Sequence, residues 1–202
     1  VTVLLQAKDL ACQRGARVLF EGVTFTLARG DALTVTGPNG SGKSSLLRIL
    51  AGLLEPVYGH IDQRAESLYL GHLDALKPHL SALENVRFWV RLFGGAEADA
   101  SAALARFGLA SVADLPGGVL SAGQRRRLAL ARFACFIGAD SARPLWLMDE
   151  PDGALDDASR QLLDAVLAEH IAAGGVVVAA THRGLGITAQ ALRLGGAGEG
   201  GA

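Results

Sequence analysis

The most specific chemistry in this sequence lies in eight residues, Gly37-Pro38-Asn39-Gly40-Ser41-Gly42-Lys43-Ser44. Glycines at this density let a backbone turn tightly enough for successive N–H groups to ring a phosphate. The spacing fits GxxxxGK[ST], the P-loop, in which Lys43 reaches the β- and γ-phosphates of a nucleotide and Ser44 ligates Mg²⁺. A strand is predicted over 32–36 before the loop and a helix over 44–53 after it, so Ser45 falls in the first helical turn. That helix start adds its positive end to the same point.

Two further strings point to phosphate chemistry. Leu145-Trp146-Leu147-Met148-Asp149-Glu150 is an apolar strand ending in two acids, and buried strands rarely carry acids without work at the edge. Asp149 is predicted to hold Mg²⁺ through its water shell, and Glu150 to polarise an attacking water as general base. In Leu120-Ser121-Ala122-Gly123-Gln124, Ser121 caps a helix predicted over 125–136, and Gly123 leaves its first turn open. A helix start with a free hydroxyl and free N–H groups receives phosphate. One P-loop already serves the β- and γ-phosphates, so this second receptor suits a nucleotide held by another copy.

The elements that must position these residues alternate. Short strands are predicted over 3–6, 18–20, 23–27, 32–36, 68–70, 145–148 and 176–180, with a helix over 156–172 between the last two. Strands alternating with helices predict an α/β fold whose mostly parallel sheet is covered on both faces. Residues 81–137 read as helices, with breaks at Gly94-Gly95 and Pro116-Gly117-Gly118, and look inserted into that core. Phe88, Trp89, Leu92 and Phe93 have helical spacing and are expected in the core of this insertion, a groove for a partner helix being the alternative. Arg125-Arg126-Arg127 reads as a solvated helix face, an anion site being the alternative. The Gly-rich tail from 195 to 202 is expected to be flexible.

Composition excludes other classes. Nineteen basic against twenty acidic residues leave a net charge of -1, which draws the chain neither to nucleic acid nor to acidic lipid. Cys12 and Cys135 stand alone, without CxxC, so disulfide scaffolds and zinc ribbons are excluded. His60, His72, His79 and His170 lack zinc-ligand spacing, and with no CxxCH no haem is expected on this chain alone. No apolar run approaches the ~18 residues of a spanning helix, and residues 1–9 lack a signal-peptide pattern. Contact with a membrane is therefore expected only through a partner.

In this order, the P-loop at 37–44, the 120–124 string, the acid-tipped strand at 145–150 and His182 resemble the nucleotide-binding subunits of ABC transporters. The resemblance covers about residues 3–194. It implies a single P-loop NTPase domain over 1–194, with a RecA-like core, an N-terminal antiparallel β-subdomain and a helical subdomain inserted at about 74–137. It also implies two copies stacked head to tail, two ATPs between each P-loop and the other copy's Ser121, Gly123 and Gln124, and integral membrane subunits as partners. His182 would then contact the γ-phosphate, and Asp156, closing Gly153-Ala154-Leu155-Asp156, would lie at the dimer interface. Alone, a histidine after an apolar strand is more often structural. Tyr69-Leu70-Gly71-His72, the 83–88 segment, Ala122, and Cys12 with Arg14 look most like the ATPases of haem exporters in cytochrome c maturation. Such a subunit would work on the cytoplasmic face of the bacterial inner membrane. The alternatives are the ATPase of another ABC exporter and a slowly hydrolysing, nucleotide-gated assembly subunit.

Three positions depart from the wider family. Arg14 stands where an aromatic usually stacks on adenine; a guanidinium also stacks on a π-face. His72 stands where a glutamine usually meets Mg²⁺ and its water. Gly153 replaces a common serine or threonine.

Overall fold

The strands predicted as most apolar are the most buried: β6 (Leu145–Asp149) and β7 (Val176–Ala180) are buried along their whole length. They lie in the middle of a parallel sheet of order β5-β6-β7-β3-β8, with β3 at Ala32–Thr36, β5 at Ser67–Leu70 and β8 at Gln190–Arg193. The computed structural model describes residues 2–97, 99–138 and 140–195. Of the expected flexible tail only Gly195 is described, and it packs against Pro38 and Ser41; the rest lies outside the described residues.

The sheet's pleat sorts side chains into two cores. Leu33, Val35, Leu145, Leu147, Val176 and Val178 meet Leu46, Leu47, Ile49 and Leu50 of α1 (Lys43–Leu50) and the inner face of a smaller sheet. Trp146, Met148, Val177 and Ala179 point the other way, onto α5 (Asp157–Ala172) and the helices inserted between β5 and β6. Each fully buried Val or Leu here is worth about 1.5–3 kcal/mol. The α/β class and parallel sheet are as predicted from the alternation of strands and helices.

The smaller sheet is antiparallel, order β2-β1-β4. β1 (Val3–Arg14) and β2 (Arg17–Ala28) are longer than the predicted pieces, because β1 continues through Lys8 and Asp9 by irregular register rather than ending there. β4 (Tyr58–Gln63) and β8 are not among the strands predicted from the sequence. Both are edge strands with mostly exposed or half-exposed side chains, so they carry no apolar alternation.

The insertion holds α2 (Ala82–Phe93), α3 (Asp99–Arg106) and α4 (Ala122–Ala131), the last continued by a 3₁₀ turn, Arg132–Cys135. The helix predicted to reach 136 thus tightens after 131. On α2 the buried face is Ala82, Asn85, Val86 and Val90; Phe88, Trp89 and Phe93 are half-buried and Leu92 is exposed. The expected aromatic core is therefore its margin: Trp89 stacks on Phe93 and meets Phe88 edge-on, and Phe93 packs against the core edge-to-face with Phe136.

His170 fastens α5 beneath the sheet. It is fully buried and stacked 3.6 Å from Trp146; its Nδ1 accepts from Gly138 N–H at 3.0 Å, so Nε2 donates to the Pro144 carbonyl at 3.1 Å. Burial pulls its pKa down from 6.5 to about 4. Above 6.5 folded and unfolded chains both hold the ring neutral. As pH falls toward 4 only the unfolded chain takes the proton, so about 3 kcal/mol of stability is lost across that window. Thermal melts between about pH 7.5 and about pH 4.5 should show a smaller fall in Tm for His170→Gln than for the unsubstituted chain. Equal falls would contradict this role for His170.

Candidate nucleotide site

Parallel pairing brings the carboxyl ends of four strands to one edge. Val35 of β3 and Asp149 of β6 both pair with Ala180 of β7, and Leu70 of β5 pairs with Met148. Residues 37–45, His72, Glu150, Asp156 and His182 all follow directly from these ends. Arg14 and the 120–124 string come from elsewhere.

The P-loop lies on the end of β8. Gly37 has φ +144°, and a Cβ there would sit 2.4 Å from the Leu194 carbonyl oxygen, so only glycine fits. Gly42, at φ +100°, is the N-cap of α1 and offers no side-chain cap, which leaves first-turn N–H groups for an outside acceptor. Lys43 folds back on the loop, donating from Nζ to the carbonyls of Gly37 at 2.7 Å and Pro38 at 3.2 Å. The Ser41 hydroxyl is buried without a partner among the described residues, a loss of about 1–3 kcal/mol that a phosphate oxygen would recover. Ser44 is exposed and Ser45 is buried.

A cavity of about 420 Å³ opens beside the loop, lined by Pro38, Asn39 and Ser41 together with Arg17, Val18, Phe20 and Arg193. Arg17, not singled out from the sequence, lines this cavity. Arg14 is its cross-strand partner on the exposed hairpin and does not line it.

Asp149 is buried at the tip of β6, whereas Glu150 turns out of the strand at φ +48°. Its N–H still donates to the Ala180 carbonyl at 2.8 Å, and its Oε1 lies 3.3 Å from His182 Nε2. The buried Thr181 hydroxyl is shared between Asp152 and the Arg183 carbonyl, which shapes the turn that presents His182. Thr181 was missed from the sequence, where it reads as the end of an apolar run. Asp156 caps α5: its carboxylate accepts from Ser159 N–H at 2.8 Å, and hydrogen bonding by the Ser159 side chain, then by its N–H, holds the carboxyl below the usual carboxylate range.

The 120–124 string begins α4 with a reciprocal capping box. Ser121 Oγ accepts from Gln124 N–H at 3.2 Å, and the Gln124 side chain accepts from Ser121 N–H at 2.9 Å. The hydroxyl oxygen expected to be free is thus engaged, though its proton remains available for an acceptor. Ala122, Arg125 and Arg126 line a second cavity, of about 230 Å³, with His72, Asp74, Glu150, Gly153 and Ala154.

The arginine run is not a solvated face. Arg125 caps the Leu120 carbonyl, Arg127 the Phe107 carbonyl at 3.0 Å, and Arg126 is buried against the end of β6. Charge alone suggested solvent; helical phase turns these side chains toward orphan carbonyls.

The ABC transporter family model matches residues 20–153. This chain belongs to the ABC transporter family. It is 52% identical to the cytochrome c biogenesis ATP-binding export protein CcmA of Paramagnetospirillum magneticum, over 93% of this chain and 92% of the relative. A protein of the same name from Rhodopseudomonas palustris is 45% identical, over 96% and 98% of the two chains. An ABC transporter ATP-binding protein from Pyrococcus furiosus shares the fold, with TM-score 0.81, 21% identity and 94% and 96% coverage. An ATP-binding cassette solved as a dimer in a post-hydrolysis state with ADP and Pi matches with TM-score 0.71 and 25% identity, over 89% and 88%.

Lys43 Nζ is the ammonium held inside the loop, and on the reading of this loop as the phosphate site Lys43→Ala should weaken ATP binding about 10- to 100-fold. Equilibrium titration with a fluorescent ATP analogue measures this, and unchanged affinity would mean that Lys43 does not hold the phosphates.

Proposed function

We propose that two copies of this chain bind Mg-ATP between them, hydrolyse it and drive an integral membrane transporter in cytochrome c biogenesis. They would act on the cytoplasmic face of the bacterial inner membrane. The observation that carries the reading is the convergence, on one sheet edge, of a phosphate loop with an orphaned Ser41 hydroxyl, the buried Asp149, and Glu150 3.3 Å from His182. Relatives named for cytochrome c biogenesis export, at 45–52% identity over nearly the whole chain, give the process. The work we propose for it is haem export or the release of a haem–chaperone complex, on the resemblance at 69–72, 83–88 and 120–124.

Ser44 and Asp149 offer the oxygen donors that Mg²⁺ prefers. Among the described residues no cluster of three or more His, Cys, Asp or Glu could cage a metal ion, so phosphate and water oxygens would complete the shell, as is usual for Mg²⁺. Bound there, the ion would offset charge on the transferred phosphoryl group. Lys43 would leave the Gly37 and Pro38 carbonyls for the phosphates, Glu150 would accept the proton of the attacking water, and His182 would face the γ-phosphate. His72 is exposed beside Glu150 and, as an imidazole, would meet the metal only through water.

The second copy would bring Ser121, Gly123 and Gln124 to the γ-phosphate. The related dimer with ADP and Pi supports this arrangement, as does the separation of the 120–124 string from the P-loop cavity. No helix among the described residues is long and apolar enough to cross a membrane. The partner helix would instead rest in the groove of Leu80, Glu84, Arg87, Phe88, Arg91 and Leu92, whose apolar floor has a charged rim.

Two substitutions test the shared site. Glu150→Gln should retain ATP and lose about 10²–10⁴-fold in turnover, accumulating as an ATP-bound dimer on size exclusion. Ser121→Arg should leave ATP binding intact while blocking turnover. Mixed with Lys43→Ala subunits it should restore at most one complete site per heterodimer, about half of full activity for that species and about a quarter for an equal mixture. Full activity in the mixture would sink the shared site.

A further inference from the structure

The guanidinium of Arg126 has every N–H occupied. Nε donates to the Pro151 carbonyl at 3.3 Å; Nη2 donates to the carbonyls of Asp149, at 3.0 Å, and Glu150. Nη1 donates to Asp74 Oδ1 at 3.0 Å and to the Gly71 carbonyl at 3.5 Å. Only 7% of the side chain is exposed. Five donors in a fixed plane thus meet three consecutive carbonyls on one side and the loop after β5 on the other.

The three carbonyls flank an unusual piece of backbone. Glu150 is a non-glycine residue at φ +48°, a conformation that costs of order 1 kcal/mol or more and persists only where surroundings hold it. The Ala180 carbonyl fixes the Glu150 N–H, and Arg126 fixes the carbonyls before, at and after Glu150. With its peptide planes held, the direction in which Glu150 projects its carboxylate is set by α4.

We infer that Arg126 is a positioning residue for the hydrolytic step: it holds the Asp149–Pro151 backbone so that the Glu150 carboxylate aims at the attacking water, and Asp74 orients it in turn. This rests on the reading of Glu150 as the general base. All five N–H donors of Arg126 are taken by protein oxygens, which leaves none to bind nucleotide or water. Lysine offers three donors from one point and glutamine two, so neither reproduces the fork. A carboxylate displaced by about 1 Å loses about 10²-fold in rate.

The test is single-turnover hydrolysis of radiolabelled ATP by the full chain, with ATP affinity measured separately. Arg126→Gln should lower the rate about 10- to 100-fold with affinity changed less than about twofold, and Arg126→Lys should fall between it and the unsubstituted chain. The deciding measurement repeats Arg126→Gln in a Glu150→Gln background. A residue that acts through Glu150 has nothing left to position there, so the residual rate should change less than about twofold. Asp74→Asn leaves Arg126 in place, and should lower the rate about 2- to 10-fold in the Glu150 background only, which keeps the test open if Arg126→Gln does not fold. Equal losses in both backgrounds would make Arg126 merely structural and overturn the inference. An unchanged rate for Arg126→Gln and Asp74→Asn, beside a slow Glu150→Gln, would overturn it while leaving the base in place. An unchanged rate for Glu150→Gln would remove the base and this inference with it.

Discussion

Parallel pairing of β3, β5, β6 and β7 is the constraint on which the site depends. Parallel strands all end on the same side, so the loops after them are neighbours whatever their sequence separation. Residues 37, 71, 150 and 181 meet for this reason, although more than a hundred positions separate the first from the last. Burial on both faces holds the register, since a slip of one residue would send Leu145 and Leu147 into the space of Trp146 and Met148. The P-loop, the acid pair and the histidine are therefore placed by core packing rather than by contacts among themselves.

Strand ends leave polar backbone behind, and two buried guanidiniums take it up. Arg126 covers the carbonyls after β6, and Arg132 donates to those of Tyr69, at 3.0 Å, and Asp74, at 3.4 Å, beneath the loop that carries His72. Arg132 also lies over the Trp89 ring, 4.8 Å from its centroid. Burial, and then the charge of Arg126, lower its pKa to about 10, still well above neutrality, so it remains a cation. Both arginines come from α4 and its 3₁₀ extension, the element that begins at Ser121. One helix thus carries the contact proposed for a second copy, the support of the acid pair at Arg126 and that of the loop after β5 at Arg132.

The residues of the proposed phosphate site are the most legible in the sequence, because their chemistry admits few alternatives. A loop that must present N–H groups needs glycine at Gly37 and Gly42, and a buried strand that ends in Asp149-Glu150 stands out against its own apolarity. The supports were not legible. Arg126 and Arg132 are polar letters in a helix, and only the fold shows that they point at orphan carbonyls. Thr181 hid at the end of an apolar run, and Arg17 in a hairpin whose alternation says nothing of the cavity it faces. The edge strands β4 and β8 were missed because exposed side chains leave no periodic signal, while their backbone pairing is as real as that of the core. The misread of Phe88, Trp89, Leu92 and Phe93 has the opposite cause: their spacing is helical, but Ala82, Asn85, Val86 and Val90 form the inward face.

The central claim is that one copy of this chain holds half of a hydrolytic site and a second copy completes it. Steady-state ATP hydrolysis measured against protein concentration, at saturating Mg-ATP and without the membrane partner, tests this most directly. If the site is shared, turnover per subunit rises with concentration and levels off once the chain is paired, so that total rate grows as about the square of concentration at the dilute end. Turnover per subunit that stays constant down to concentrations at which the chain sediments as a single copy would contradict the account.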